Sequence, residues 1–475
     1  MYKLIIFVFV ISALKVNAQG CANLNVQFKS DIPSVCGEMT MTMIHDVLNR
    51  PYLYVANKEA GLRIYNLTSL TSPLLADSIQ TSMFDTLDVM NLTQDGNYVY
   101  LALGNTFSGT TQKSGLAIID VTNPTNAVLK DYWTLAGSSG GSGIVKVEGN
   151  YAYLGSMGDG LVILDISDKT NILFVSQFIP DINYPTASPN PALYNARGME
   201  VKNSIVYLCY DAGGFRIINA TNKIIPVQTG KYSNPVMNGH PRAYNNIILD
   251  PPYVYIAVDY CGVEVLNISD TSNITLSGWW NPYNCPSNNW FTSPVHSNEI
   301  QFDQNCEILF LSTGKSDMYI VNIANPSSPD SCGFYGGEAN GIGTWGVGLF
   351  QNQIYLSYIC TFGIPFASNW TGVKILTYTE CSSGKSELNE DEVNSYPNPT
   401  NGKLKIFDSS AWQSAGLDFT ISDLNVYTIF GENISPRILI DRIKGEIDLS
   451  EQIPGIYFIR ISVGDSVFTK KVVRL

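Results

Sequence analysis

The chain alternates apolar and polar positions with a period of two, in short runs rich in Val, Ile, Tyr and Leu. The clearest unit is residues 151–167, YAYLGSMGDGLVILDIS. An alternating strand runs into a glycine turn, and a second strand, 161–164, ends on Asp165. The unit begins again at Tyr52, Tyr98, Ile205, Tyr253, Ile308 and Ile354, at spacings of 46 to 55 residues. Each copy has a strand before this pair, such as 198–201, and one after it, such as 128–133. No long stretch places apolar residues at i, i+3, i+4 and i+7. Four antiparallel strands per copy, seven times over, predict an all-β chain whose main part is a seven-bladed β-propeller.

The seventh copy stops after its third strand, 372–378, so its fourth strand must come from elsewhere. Residues 22–29 alternate correctly and are expected to be that outer strand, with Val26-Gln27-Phe28 matching Ser176-Gln177-Phe178 of the third copy. Laying the seventh copy on the second puts Phe28 on Tyr132, Cys21 on Thr125 and Cys381 on Pro124. That alignment suggests a Cys21–Cys381 disulfide across the broken blade, with a local Cys21–Cys36 bridge as the rival. The same placement of loops on one ring face suggests Cys36–Cys360 and Cys261–Cys285, and leaves Cys209, Cys306 and Cys332 unassigned.

An Asp or Asn ends the third strand in six copies: Asn66, Asp120, Asp165, Asn219, Asn267 and Asn322. A ring of ligands is one reading. The better one is an Asx-turn, in which the side chain accepts from the backbone two residues on.

The two ends differ from the repeats. Met1-Tyr2-Lys3, the apolar run 4–14 and Val16-Asn17-Ala18 form a secretory signal peptide, 1–18, with Cys21 as a possible lipoprotein alternative. The apolar run is too short to span a bilayer. The propeller is expected over 19–379. Residues 380–394 turn polar and acidic and read as a linker. Residues 395–475 hold short alternating strands and predict a small C-terminal β-sandwich.

Two resemblances follow from particular residues. Gly115-Leu116-Ala117-Ile118-Ile119-Asp120-Val121-Thr122-Asn123-Pro124 and Gly160-Leu161-Val162-Ile163-Leu164-Asp165-Ile166-Ser167 resemble the LVIVD-repeat family. That resemblance is strongest in the second and third copies and implies a propeller of exported or surface proteins, with no particular reaction. The tail is similar to the type A C-terminal sorting domain of the bacterial type IX secretion system. The matching residues are Tyr396-Pro397-Asn398-Pro399 with Gly402, then Leu449 to Gly455 and Tyr457, then Lys470-Lys471 in the closing strand. The resemblance implies the type IX machinery as a partner, passage through the outer membrane, and removal of the tail. An unrelated immunoglobulin-like accessory domain is the alternative.

Composition narrows the rest. The net charge of −13 with only 28 Lys and Arg, and no basic stripe, argues against nucleic acid as a partner. The sequence offers no HExxH, phosphate loop, EF-hand or zinc spacing, and names no catalytic residue, metal or cofactor. The three histidines, His45, His240 and His296, are expected to be structural. Asp211 and Asp259 follow second strands near a ring face, and solvated turn residues explain them as well as acid–base roles do.

The turns between first and second strands are minimal. The insertions all fall on second-to-third loops (103–115, 359–372) and on crossings to the next blade (179–197, 230–246, 280–299, 333–345). In a propeller these share one face, and function tends to sit on such loops. They are rich in aromatics. Trp280, Trp290, Trp345, Trp370, Tyr184, Tyr194, Tyr232 and Phe362 are the ligand-binding candidates, though about half are expected only to hold the loops together. Such a platform suits glycan or protein ligands. The sequence therefore favours an exported recognition module over a polysaccharide- or peptide-degrading enzyme on the same face, or a structural matrix component.

Overall fold

The computed structural model describes residues 24–106, 111–237, 243–337, 341–360, 368–379, 397–405, 421–429, 433–435, 439–441, 446–463 and 466–475. The chain divides into two compact units, Met1–Ser382 and Ser383–Leu475.

Seven four-stranded antiparallel sheets make up the first unit. Blade 3 is typical: Ile144–Glu148, Tyr151–Gly155, Leu161–Asp165 and Leu173–Phe178, with neighbours in sequence also neighbours in the sheet. First strands of adjacent blades touch one another and form the inner wall of the ring. The two middle strands of each blade are covered on both faces. Tyr153, Leu154, Val162 and Ile163 are all buried, which is why this part of the repeat reads as nearly continuous apolar sequence. The fold is an all-β seven-bladed propeller.

All six third-strand Asp and Asn residues form the Asx-turn. Asn66, Asp120, Asp165, Asn219, Asn267 and Asn322 each accept, through Oδ1, the backbone N–H of the residue two further on, at 2.8–2.9 Å. In five blades a second Asn or Asp, at 123, 168, 222, 270 or 325, repeats the device within the same connection.

Every outer strand carries a bulge, at Ala76, Lys130, Val175, Thr229, Ser277, Cys332 and Lys29 in turn. A bulge twists an edge strand away from further pairing. The residue after the bulge meets the next blade. Asp77 accepts the amide of Ala127 at 2.6 Å and Asp131 that of Ile172 at 2.8 Å. Ser176 donates to the Lys223 carbonyl at 2.5 Å. Gly230 and Gly278 take this place where the next blade's backbone comes closest. A Cβ there would lie 2.5 Å from the Thr271 carbonyl oxygen or 2.2 Å from that of Pro326.

The ring closes with the N-terminal strand Val26–Ser34 as the outer strand of blade 7, paired with Thr371–Tyr378. Its register corrects the overlay on blade 2 by three residues and the match to blade 3 by four. Phe28 lies opposite Leu376, where Leu129 lies opposite Ile119 in blade 2, and Asp31 takes the place expected for Phe28. Ser30-Asp31-Ile32 is thus the true counterpart of Ser176-Gln177-Phe178. Burial decides it: Ile32 is 8 % exposed against 51 % for Phe28. Matching by apolar alternation alone had no way to place the bulge at Lys29.

Cys36 is bridged to Cys360, and Cys261 to Cys285. Cys306 belongs to a further disulfide, and Cys209 is a buried free thiol. Cys21 and Cys381 lie outside the described residues, as do the signal-peptide segment 1–18 and most of the linker.

The second unit contains two three-stranded antiparallel sheets. One joins Lys403–Lys405, Glu446–Asp448 and Leu439–Asp441, and the other Ile421–Thr428, Gly455–Val463 and Ser466–Arg474. Leu404 and Ile447 of the first, and Val426, Ile459 and Val472 of the second, are buried.

Candidate functional site

The aromatic candidates are not gathered into one platform. Trp280 ends an outer strand and is 3 % exposed, its Nε1–H donating to Ser331 at 2.7 Å and its ring lying against Tyr319. Tyr194 is equally buried, packed edge-on against Tyr210. Neither ring has a face to offer. Trp370 packs against Tyr358 and helps to enclose the ammonium of Lys374. Tyr184 is clamped between Arg216 and Lys231, at 4.7 and 4.5 Å from the ring centroid. Tyr232 belongs to the blade 4–blade 5 core. Phe362 lies outside the described residues. Long loops need internal anchors, and most of these rings supply them.

Trp345 is different. It lies at the entrance to the inner strand of blade 7, at a break in register between Thr344 and Val347. Equivalent breaks place Met90 in blade 2 and Asn245 in blade 5. An extra residue in a strand re-aims its side chain, and such bulges recur beside sites. All three line one partly open cavity on the ring axis, with a volume of about 40 Å³ below its rim. Blade 1 adds Met41 to it, blade 3 Gly143, blade 4 Arg197 and blade 6 Asn298 and Glu299. Asn91, Asn246, Thr106 and Met157 complete the wall. Every blade contributes, which marks this as the mouth of the central channel. It lies on the face of the second-to-third loops and the crossings, since Thr106 and Met157 come from the former and Arg197 from the latter.

The cavity is a ring of amides with one cation and one carboxyl. The Arg197 guanidinium lies over the Trp345 indole, 5.6 Å from the ring centroid. Asn245 is 5 % exposed; its Nδ2 donates to the Ser297 carbonyl at 2.8 Å, while its Oδ1 has no hydrogen-bond partner among the described residues. The Glu299 carboxylate accepts from Thr42 of blade 1 at 3.0 Å and from the Val347 amide of blade 7 at 3.3 Å, so it ties three blades together. Desolvation by the channel wall pushes its carboxyl up to about 7, against the two hydrogen bonds and the distant Lys146. Gly346 makes room for it: a Cβ there would lie 2.9 Å from Oε2.

Asp211 and Asp259 are not solvated turn residues. Both have positive φ in the second-to-third turn and bridge to the entrance of the next blade. Asp259 accepts from His296 Nδ1 at 2.6 Å and from Trp290 Nε1 at 3.0 Å. His296 is 1 % exposed, so the trio pins the 280–299 crossing to blade 5 rather than meeting solvent. Asp211 accepts from Asn195 at 2.9 Å, and desolvation raises its carboxyl to about 6 despite the attraction of Arg197. His45 stacks on Phe350 with ring centroids 3.5 Å apart. His240 lies outside the described residues.

The sequence missed Arg197, Glu299 and the Asn residues because each lies in the polar lead-in to an inner strand. Only ring closure brings them together. The one available signal was the extra residue before the inner strands of blades 2, 5 and 7.

In the C-terminal unit the three sorting motifs meet. The Asn398 side chain donates to the Lys471 carbonyl at 2.8 Å and accepts the Val473 amide at 2.9 Å, locking the opening segment to the closing strand. Gly402, at φ +140°, accepts the Leu449 amide where a Cβ would strike Ser450. Gly455 pairs with Arg474, Tyr457 with Val472, and Lys470 and Lys471 with Ile459 and Phe458. The Tyr457 hydroxyl donates to the Ile453 carbonyl at 2.8 Å. Pro397 and Pro399 flank Asn398, and Tyr396 lies outside the described residues.

Residues 88–134, 139–179 and 244–281, which hold the strands of blades 2, 3 and 5, match the LVIVD repeat. Residues 394–474 match the secretion system C-terminal sorting domain. No curated protein matches the chain. Among solved structures, the β-propeller domain of Cps50 (Swd1) from Myceliophteria thermophila is similar at 10% identity and a TM-score of 0.50, covering 75% of this chain and 100% of that one. A structure described as YCF48 bound to D1 peptide is similar at 11% identity and a TM-score of 0.49, covering 77% and 100%. The sorting domain marks the protein for export by type IX secretion, to the cell surface or beyond it. Among the described residues no helix is long and apolar enough to cross a membrane.

Proposed function

We propose that this chain of LVIVD repeats with a type IX sorting domain is an exported recognition module. Its propeller holds a polar ligand, glycan or protein segment, at the mouth of the central channel. The observation that carries this reading is the convergence of seven blades on a cavity of amides around Arg197 and Trp345. Paired donors and acceptors of this kind suit a polyhydroxylated or peptide ligand. A pocket with a few convergent polar groups is the general form of a ligand site.

A degrading enzyme is the second reading, because a carboxyl near 7 such as Glu299 matches what a general acid or base needs. Against it, both established hydrogen bonds to Glu299 join blades, and the Asp259–His296 pair is buried under Trp290.

A combined glycan and peptide array, probed with the exported chain and with Asn245→Ala and Trp345→Ala, tests this. Binding lost in both variants without product formation supports recognition. Turnover that stops with Glu299→Gln supports the enzyme. Binding indifferent to both channel variants moves the site elsewhere.

A further inference from the structure

We propose that the channel mouth is a receptor for an acidic saccharide, with Arg197 holding the sugar carboxylate. This rests on the recognition reading above and names the ligand chemistry of that same site.

The first observation is an uncommitted cation. The Arg197 guanidinium makes no hydrogen bond or ion pair among the described residues, and its contact is the Trp345 ring face. A ring contact of this kind uses none of the guanidinium N–H groups and leaves them for a ligand. Among the described residues no surrounding carboxyl forms an ion pair with it. Glu200 is paired with Lys146 at 2.6 Å. Glu299 is engaged by Thr42 and Val347. Asp211 is taken up by Asn195. Desolvation raises both carboxyls, and Asp211, although it attracts Arg197, makes no hydrogen bond to it among the described residues. A carboxylate supplies what is missing, and a planar guanidinium receives it in a bidentate manner.

The second observation is independent. Asn245 Oδ1 is a buried acceptor without a donor, at a bulge that turns the side chain toward the same cavity. An unmet buried acceptor calls for a donor from the ligand. A simple carboxylate has none to give. A carboxylate on a hydroxylated ring has several, placed a few ångströms from the acid group. Asn91 and Asn246 on the same wall offer further donors and acceptors for ring hydroxyls. A uronic acid residue meets both requirements.

Isothermal titration of the exported chain with oligogalacturonate, with its methyl ester, and with an acidic peptide of equal charge tests the assignment. The acid form should bind, with the ester weaker by roughly 10- to 100-fold, the size expected for a charged hydrogen-bonded contact. Arg197→Met should erase the difference between acid and ester, and Arg197→Lys should restore part of it. If Arg197→Met fails to fold, the acid-to-ester ratio of the unaltered chain and the Arg197→Lys variant still decide. Equal binding of acid and ester, lost in Asn245→Ala, would overturn the carboxylate assignment and leave the recognition reading intact. Preference for the peptide would overturn the saccharide assignment. No binding of any saccharide or peptide would remove both.

Discussion

The hydroxyl of Ser30 donates to the carbonyl of Leu70 at 2.6 Å, joining the last blade to the first. Ser176 makes the same contact from blade 3 to Lys223 of blade 4. The N-terminal strand therefore closes the ring with the device that joins consecutive blades elsewhere, although 345 residues separate Ser30 from Ile375, its partner on the third strand of that blade.

The closing register has a direct test. Ile32→Ala removes a buried side chain and should destabilise the propeller by about 2–4 kcal/mol, whereas Phe28→Ala, at an exposed position, should cost under about 0.5 kcal/mol. Denaturant titration of both variants checks it. The reverse order would restore the alignment by apolar alternation.

Asp131 is the corresponding joint between blades 2 and 3. Asp131→Ala strands the Ile172 amide and should cost about 1–2 kcal/mol, while Asp131→Asn keeps an acceptor and should cost less than half as much. Thermal unfolding with amide exchange at Ile172 would read both effects.

Stability should fall as the pH rises toward 8. Burial raises the Glu299 carboxyl from 4.5 to about 7, so the folded protein holds this proton more tightly than the unfolded chain does. The stability from this group is full below about pH 4.5 and lost as the pH rises through 7, on the order of 3 kcal/mol in all. Asp211, raised from 3.8 to about 6, acts in the same direction at lower pH. Glu299→Gln keeps the two interblade hydrogen bonds and should flatten the loss between about pH 4.5 and 7. A slope unchanged in that variant would assign the effect to another group.

The Cys36–Cys360 bridge ties the segment after the closing strand to the second-to-third loop of the same blade, across 324 residues. Replacing both cysteines by Ala should lower stability by up to about 5 kcal/mol on the chain-entropy estimate, and by less if the unfolded chain keeps structure. Unfolding of the unreduced double variant against the parent measures it. The shorter Cys261–Cys285 loop should contribute less.

Deleting 395–475 should leave the propeller folded and stop its export. The two units are compact separately, and the sorting motifs meet only within the second. Cell fractionation with a circular dichroism spectrum of the retained protein would show both. Continued release of the truncated chain would end the sorting assignment.

Sequence by itself determined the repeat, the blade count, the Asx-turns and the address. Each rests on local chemistry: a period of two, a side chain reaching two residues along its own backbone, a motif contiguous or nearly so. It also indicated that the N-terminus closes the ring, because one strand was missing at one end and spare at the other. Tertiary structure decided the register of that closure, since a bulge at Lys29 changes which of Phe28 and Ile32 turns inward without altering the apolar pattern. It also decided which aromatics are free. Trp280 and Trp345 look alike in a loop sequence, yet one is spent on Ser331 and Tyr319 and the other supports Arg197 at the channel mouth. Arg197, Asn245 and Glu299 come from three different blades. Residues so far apart along the chain share a site only because the ring brings the entrances of all seven inner strands to one axis, and no local pattern encodes that meeting.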